Sequence, residues 1–148
     1  EHVEVLDRHV GHHLVRAVME GVSMETREIL DVFSDLGVPV SEVRLSGGCT
    51  HLAVWNQIQA DIFESPVSTL RNAHATMLGA AMLAATGVNI FDSVEEASDS
   101  MVHIGRTYEP DADRSSVYRK LYQRFRNVYR GFEDAQLFPE ICTINSRQ

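Results

Sequence analysis

The chain has two cysteines, one tryptophan, four prolines and no block of lysine and arginine. Each scarcity excludes something. Cys49 and Cys142 lie far apart and form neither a CxxC nor a zinc-ligand spacing. Two free thiols in a reducing cytosol are therefore expected, not a disulfide framework. No apolar run approaches the ~18 residues needed to span a bilayer, and the opening EHVEVLDRHV lacks the basic and apolar regions of a signal peptide. The expectation is a cytoplasmic protein without a membrane partner. With 13 basic and 21 acidic side chains the formal charge is −8, and no basic cluster offsets it, which argues against a nucleic-acid partner. A small anion held by backbone N–H groups stays open, because such a site needs little positive charge.

What is present is ordinary for a globular protein: 44% hydrophobic and 23% charged residues. A chain of 148 residues suits a single domain, 1–148, which buries roughly two-thirds of its unfolded surface.

Apolar residues recur at helical spacing from about residue 8 to 36, through Leu14, Val18, Val22, Ile29, Val32, Phe33 and Leu36. Gly37 reads as a left-handed C-terminal cap and Pro39 bars resumption. Gly21 within this run implies either a gap that admits a neighbouring backbone or a break in the helix. A strand over 40–45 places Val43 and Leu45 on one face, and a helix over 51–63 follows. A second short strand spans 65–70, its proline confined to the start or an edge. The alanine-rich stretch 73–86, ended by Gly87, predicts a helix buried on most sides. Ser93-Val94-Glu95-Glu96 fits a capping box. After a loop at Tyr108-Glu109-Pro110, Asp111 or Asp113 caps a last helix carrying Val117, Leu121, Tyr122, Phe125, Val128 and Tyr129. The tail 139–148 has no clear periodicity. The expected fold is α/β, helix-rich, with a small incomplete sheet of two strands that needs partners from elsewhere.

Residues 44–61 read RLSGGCTHLAVWNQIQAD. A strand that passes through Gly47 and Gly48 into a helix presents unpaired N–H groups and a partial positive charge to an anion, and glycine lets the ligand come close. Neither GxxxxGK[ST] nor GxGxxG is present. Spacing alone leaves a plain strand-to-helix turn as the stronger reading beside phosphate contact. His9, His12 and His13 cluster without an HExxH pattern and read as a surface or core-edge group. His51, at a helix start, suits a neutral side chain lining a site. Cys49 lies near a helix N-terminus, yet no GxSxG occurs, and Ser46 precedes its glycines in the wrong register for a nucleophile elbow. Asp61 and Glu20 read as a solvated face or tertiary salt bridges. The stripe Tyr118, Tyr122, Phe125, Tyr129 reads as core.

Four ordered blocks resemble the C-terminal part of the FGGY carbohydrate kinases, most closely the xylulokinase-like branch. His13 to Gly21 is similar to that family's HLxRAxxEG. Ser46-Gly47-Gly48 with Trp55, Gln57, Ala60 and Asp61 resembles SGGG…W.Q..AD. Leu78-Gly79-Ala80-Ala81 with Ala85 and Gly87 matches LGAA…A.G, and Tyr108-Glu109-Pro110 with Tyr118, Leu121 and Tyr122 resembles YEP…Y..LY. The resemblance covers about residues 8–132.

The resemblance implies part of an actin-like (ribonuclease H-like) ATPase domain from an enzyme that phosphorylates a sugar hydroxyl with ATP and Mg2+. It implies nucleotide contact at Gly47, Gly48, Cys49 and Leu52, with the sugar contacted through an N-terminal domain that is absent here. The catalytic aspartate segment is absent as well, so no catalytic residue is assigned and the isolated chain is expected to be inactive. The chain departs from the pattern at Cys49, in place of the third glycine, at Leu52, in place of Ser or Asn, and at His74, in place of Glu. The alternative is a non-catalytic structural or interaction domain that kept the fold and lost nucleotide binding. Apolar surface left by a thin sheet and an alanine-rich helix points to a homo-oligomer.

Overall fold

The structure, a computed structural model, describes residues 2–136, with side chains from residue 10 onward. Cys142, the 139–148 tail and the His9 side chain lie outside the described part. The elements are α1 (His2–Asp35), β1 (Val43–Leu45), a 3-10 turn (Gly48–His51), α2 (Ala53–Phe63), β2 (Val67–Leu70), α3 (Ala75–Gly87), α4 (Val94–Met101), β3 (Ile104–Tyr108) and α5 (Ala112–Asp134).

The sheet has order β1-β2-β3. β1 and β2 run parallel, pairing Val43 with Val67 and Leu45 with Thr69, and α2 makes the crossover that parallel strands require. The two-strand expectation falls one short: β3 adds antiparallel to β2, pairing Val67 with Tyr108 and Leu70 with Ile104. Four of the five β3 residues are exposed, so the strand has no buried stripe to announce it. Its Gly105 sits where the register breaks between Ser68 and Leu70. A Cβ there would lie 3.2 Å from Leu70 C and Arg71 N, tight enough that the neighbouring backbone would have to give by a few tenths of an ångström. With strands on both sides, β2 is central, and Pro66 is tolerated because it stands just before the first paired residue.

α2 is the hub. Ile58 through Phe63 are all buried, packed with Met24 of α1, Val67 of β2, Tyr108, and Tyr118 and Tyr122 of α5. The stripe on α5 thus divides: Tyr118 and Tyr122 are core, Phe125 packs half-buried against them, and Tyr129 is exposed.

Two other expectations are corrected. α1 runs unbroken through Gly21, and a Cβ at Gly21 would meet nothing within 4 Å; the residue neither breaks the helix nor admits a backbone. The alanine-rich α3 is not buried on most sides. Only Met82 is buried, while Met77 and Leu83 are 70% and 64% exposed, because among the described residues α4 is the one element with extensive contact along it. Alanines make a good helix anywhere, and their pattern does not supply the neighbour that would cover them. The apolar stripe of α1 is likewise turned outward, with Leu14, Val18, Ile29 and Leu36 exposed.

The caps follow the sequence. Gly37 takes φ +78, with its N–H on Ser34 O and that of Val38 on Phe33 O. Ser93 Oγ accepts from Glu96 N at 3.1 Å, and Glu96 Oε2 reaches back to Asp92 N at 2.8 Å. Of the two candidates for α5, Asp111 is the cap, accepting from Arg114 N at 2.9 Å.

Candidate functional site

β1 and β2, being parallel, deliver their carboxyl ends to the same edge of the sheet, and in open α/β sheets ligands bind outside those ends. β1 leads through Ser46 into Gly47, whose φ of 92° and ψ of −177° fall in a region only glycine occupies without strain. That conformation aims the Gly47 N–H at Ala73 O, 2.9 Å away in the β2–α3 loop. The loop is held again from below. Gly47 O accepts from Thr50 N at 3.2 Å and Thr50 Oγ1 at 2.8 Å, and buried Asn56 donates Nδ2 to Thr50 O at 2.8 Å. Between the two loops lies a cavity of about 200 Å³, bordered by Ser46, Gly47, Ala73, His74 and Ala75.

Of the four residues expected to contact nucleotide, Gly47 lines this cavity. Gly48, exposed, and Cys49, half-buried, open the 3-10 turn just beyond it. Their N–H groups stand at the start of the turn, where no intrahelical acceptor exists. A Cβ on Gly48 would meet nothing within 4 Å. Leu52 is 44% exposed at the head of α2. Cys49 is a free thiol whose Sγ approaches only Ser46 O, at 3.8 Å. Of the two glycines, Gly47 has the positive φ and Gly48 does not.

The other motif residues are turned inward and joined to one another. Arg16 Nε and the Tyr118 hydroxyl both donate to Glu20 Oε1 at 2.8 Å, and Arg16 Nη2 donates to the Tyr118 oxygen at 3.0 Å. Trp55 Nε1 donates to Ser23 Oγ at 3.1 Å. Gln57 Nε2 bridges Asp61 Oδ1 at 3.0 Å and Glu109 O at 2.8 Å. Asp61, 1% exposed, also accepts from Asp111 N at 2.9 Å and Arg114 Nε at 2.6 Å. Asp61 and Glu20 are thus tertiary anchors. Burial and then Glu20 push the Tyr118 hydroxyl up, and burial and then Asp31, 2.7 Å away, do the same to Tyr122. Neither tyrosine is set up to ionise. Three of the four motif blocks are wired together around α2.

Sequence reasoning missed the β2–α3 wall of the cavity. The strand–helix–strand order over 40–70 was the one hint that the two strand ends lie side by side. Among the described residues no group of three His, Cys, Asp or Glu is placed to hold a metal, and no helix is long and apolar enough to cross a membrane.

The FGGY family of carbohydrate kinases, C-terminal domain, matches residues 4–88. The chain belongs to this family. It is 34% identical over 126 residues to the xylulose kinase of Bacillus subtilis, covering 85% of this chain and 25% of that protein. It is 31% identical over 132 residues to the glycerol kinase of Vibrio atlanticus, covering 88% and 25%. The structure superposes on the xylulose kinase of Rhodospirillum rubrum with a TM-score of 0.69 at 31% identity, over 82% of this chain and 25% of that one. The glycerol kinase of Plasmodium falciparum, solved with ADP, gives 0.63 at 29% identity over 80% and 24%. The chain therefore spans about a quarter of the length of these relatives. Its helix-rich α/β arrangement is the C-terminal part of their actin-like fold.

Proposed function

We propose that this chain supplies the nucleotide-side wall of an ATP-dependent sugar kinase. The observation that carries the reading is the cavity at the carboxyl ends of two parallel strands, where Gly47 at φ 92° is locked to Ala73. ATP, when bound, supplies the phosphoryl group. The chain's own part is to bind and orient: a rigid loop, free of side-chain bulk at Gly47 and Gly48, offers the Gly48 and Cys49 N–H groups to an anion. The residues present fit such a ligand. Among the described residues no three His, Cys, Asp or Glu are grouped to hold a metal, and no step is assigned to Mg2+ through this chain. The sugar and the group that deprotonates it are assigned to the three-quarters of the relatives' length that this chain does not span. Xylulose and glycerol are the substrates that the relatives' names suggest, and the cytoplasm is the compartment expected.

ADP titrated calorimetrically into the chain tests the reading. Saturable binding is expected, lost in Gly47→Val and in Ala75→Leu, which fills the cavity from the other loop. No binding by a cooperatively folding parent would favour the second reading, a non-catalytic scaffold. The inward wiring of Arg16, Trp55, Gln57 and Asp61 supports that alternative, because those signature residues serve the fold.

A further inference from the structure

Beside the glycine-loop cavity, and sharing Ala73 and His74 with it, lies a second and more polar cavity of about 420 Å³. The 3-10 turn contributes Thr50 and His51, and the end of β2 with its following loop contributes Arg71, Asn72 and His74. Not one residue lining it is acidic, in a chain whose net charge is −8. Several of its polar groups are committed within the chain. Asn72 Oδ1 receives the His74 N–H at 3.0 Å, which leaves its amide N–H groups as donors. Thr50 Oγ1 donates its hydrogen to Gly47 O, and Thr69 Oγ1 donates to Arg106 O and accepts from Arg106 N, both at 3.2 Å. The Arg71 backbone is pinned by its N–H to His103 O at 2.8 Å, so the side chain springs from a fixed point, and its guanidinium has no salt bridge among the described residues. A concave site offering one guanidinium, one amide donor pair and two imidazoles, without a carboxylate, is complementary to a tetrahedral oxyanion.

We infer that this pocket binds a phosphate-class oxyanion. The same chemistry has two sources, free phosphate or a phosphoryl group of a nucleotide seated next door, and the experiment separates them. Inorganic phosphate is titrated into the chain by calorimetry at constant ionic strength. Saturable binding is expected, weakened about five-fold or more by Arg71→Ala and by His74→Ala, and unchanged by Ala75→Leu. If ADP, but not adenosine, displaces phosphate, the occupant is the nucleotide's own phosphate. If phosphate binds equally with ADP saturating, the site takes the free ion. Absence of saturable phosphate binding, or affinity equal to the parent in both substitutions, overturns the site. Loss of ADP binding alone would sink the glycine-loop reading and leave this one standing.

Discussion

Gly47 and Gly48 are neighbours with unequal obligations. The Gly47 φ/ψ of 92° and −177° is strained for any L side chain by about 1–3 kcal/mol. Gly48 has an ordinary φ and open space around its Cβ direction. Gly47→Ala should therefore lower stability by about 1–2 kcal/mol while Gly48→Ala stays near neutral, as thermal unfolding of the two would report. Leu52, exposed at the head of α2, tests the departure from the family. Leu52→Asn offers a hydrogen bond to a ligand and should tighten ADP by roughly two- to twelvefold, read by calorimetry beside the parent. Glu64 carries the clearest pH signature. Arg119 first, then Arg27, hold its carboxyl below the usual carboxylate range. A lowered native value means the stability from this group is full above the unfolded value of about 4.3 and is lost as pH falls through the native one. Thermal unfolding followed from pH 6 to 3 should decline in the parent, and Glu64→Gln should flatten that decline.

At the scale of elements, the joint between α2 and α5 is the most consequential. Asp61 from α2, 1% exposed, accepts from Arg114 of α5 and from the Asp111 N–H that precedes the helix. The two halves of the pair are not equivalent. Arg114→Ala leaves a buried carboxylate with only Gln57 Nε2 and the Asp111 N–H as partners and should be the more costly change. Asp61→Asn leaves a half-exposed guanidinium that water can solvate and should cost less. Urea unfolding of both variants gives the order, and a larger loss in Asp61→Asn would contradict this account. The same comparison distinguishes an anchor from a catalytic base, since it needs no substrate.

On the scale of the whole molecule, the exposed apolar side chains decide behaviour. Leu14, Val18, Val22, Ile29 and Val32 on α1, with Met77 and Leu83 on α3, are 46% to 70% exposed. Faces of this kind drive association. Dimers or larger species are expected in light scattering at micromolar concentration; a monodisperse monomer with a sharp thermal transition would count against it. Phosphoryl transfer needs an aligned acceptor together with the nucleotide, and this chain spans a quarter of its relatives. A coupled assay should accordingly detect no sugar-dependent ADP release above background.

The sequence by itself determined the local features. Helix spans, the Gly37, Ser93 and Asp111 caps, and the strand–glycine–helix passage at residues 43–63 all depend on neighbours a few positions away, and the ordered motif blocks identified the family. Several features came only from tertiary structure. β3 lacked a buried stripe, so its pairing with β2 was invisible until the strands met. The exposure of α1 and α3 depends on which surfaces pack against them, a question composition does not answer. That Gly47 rather than Gly48 takes the glycine-only conformation follows from its bond to Ala73, 26 residues away. The pocket of His51, Arg71 and His74 exists because parallel pairing of β1 and β2 brings the ends of two distant strands together. Long-range pairing aligns those groups, and no local pattern encodes it.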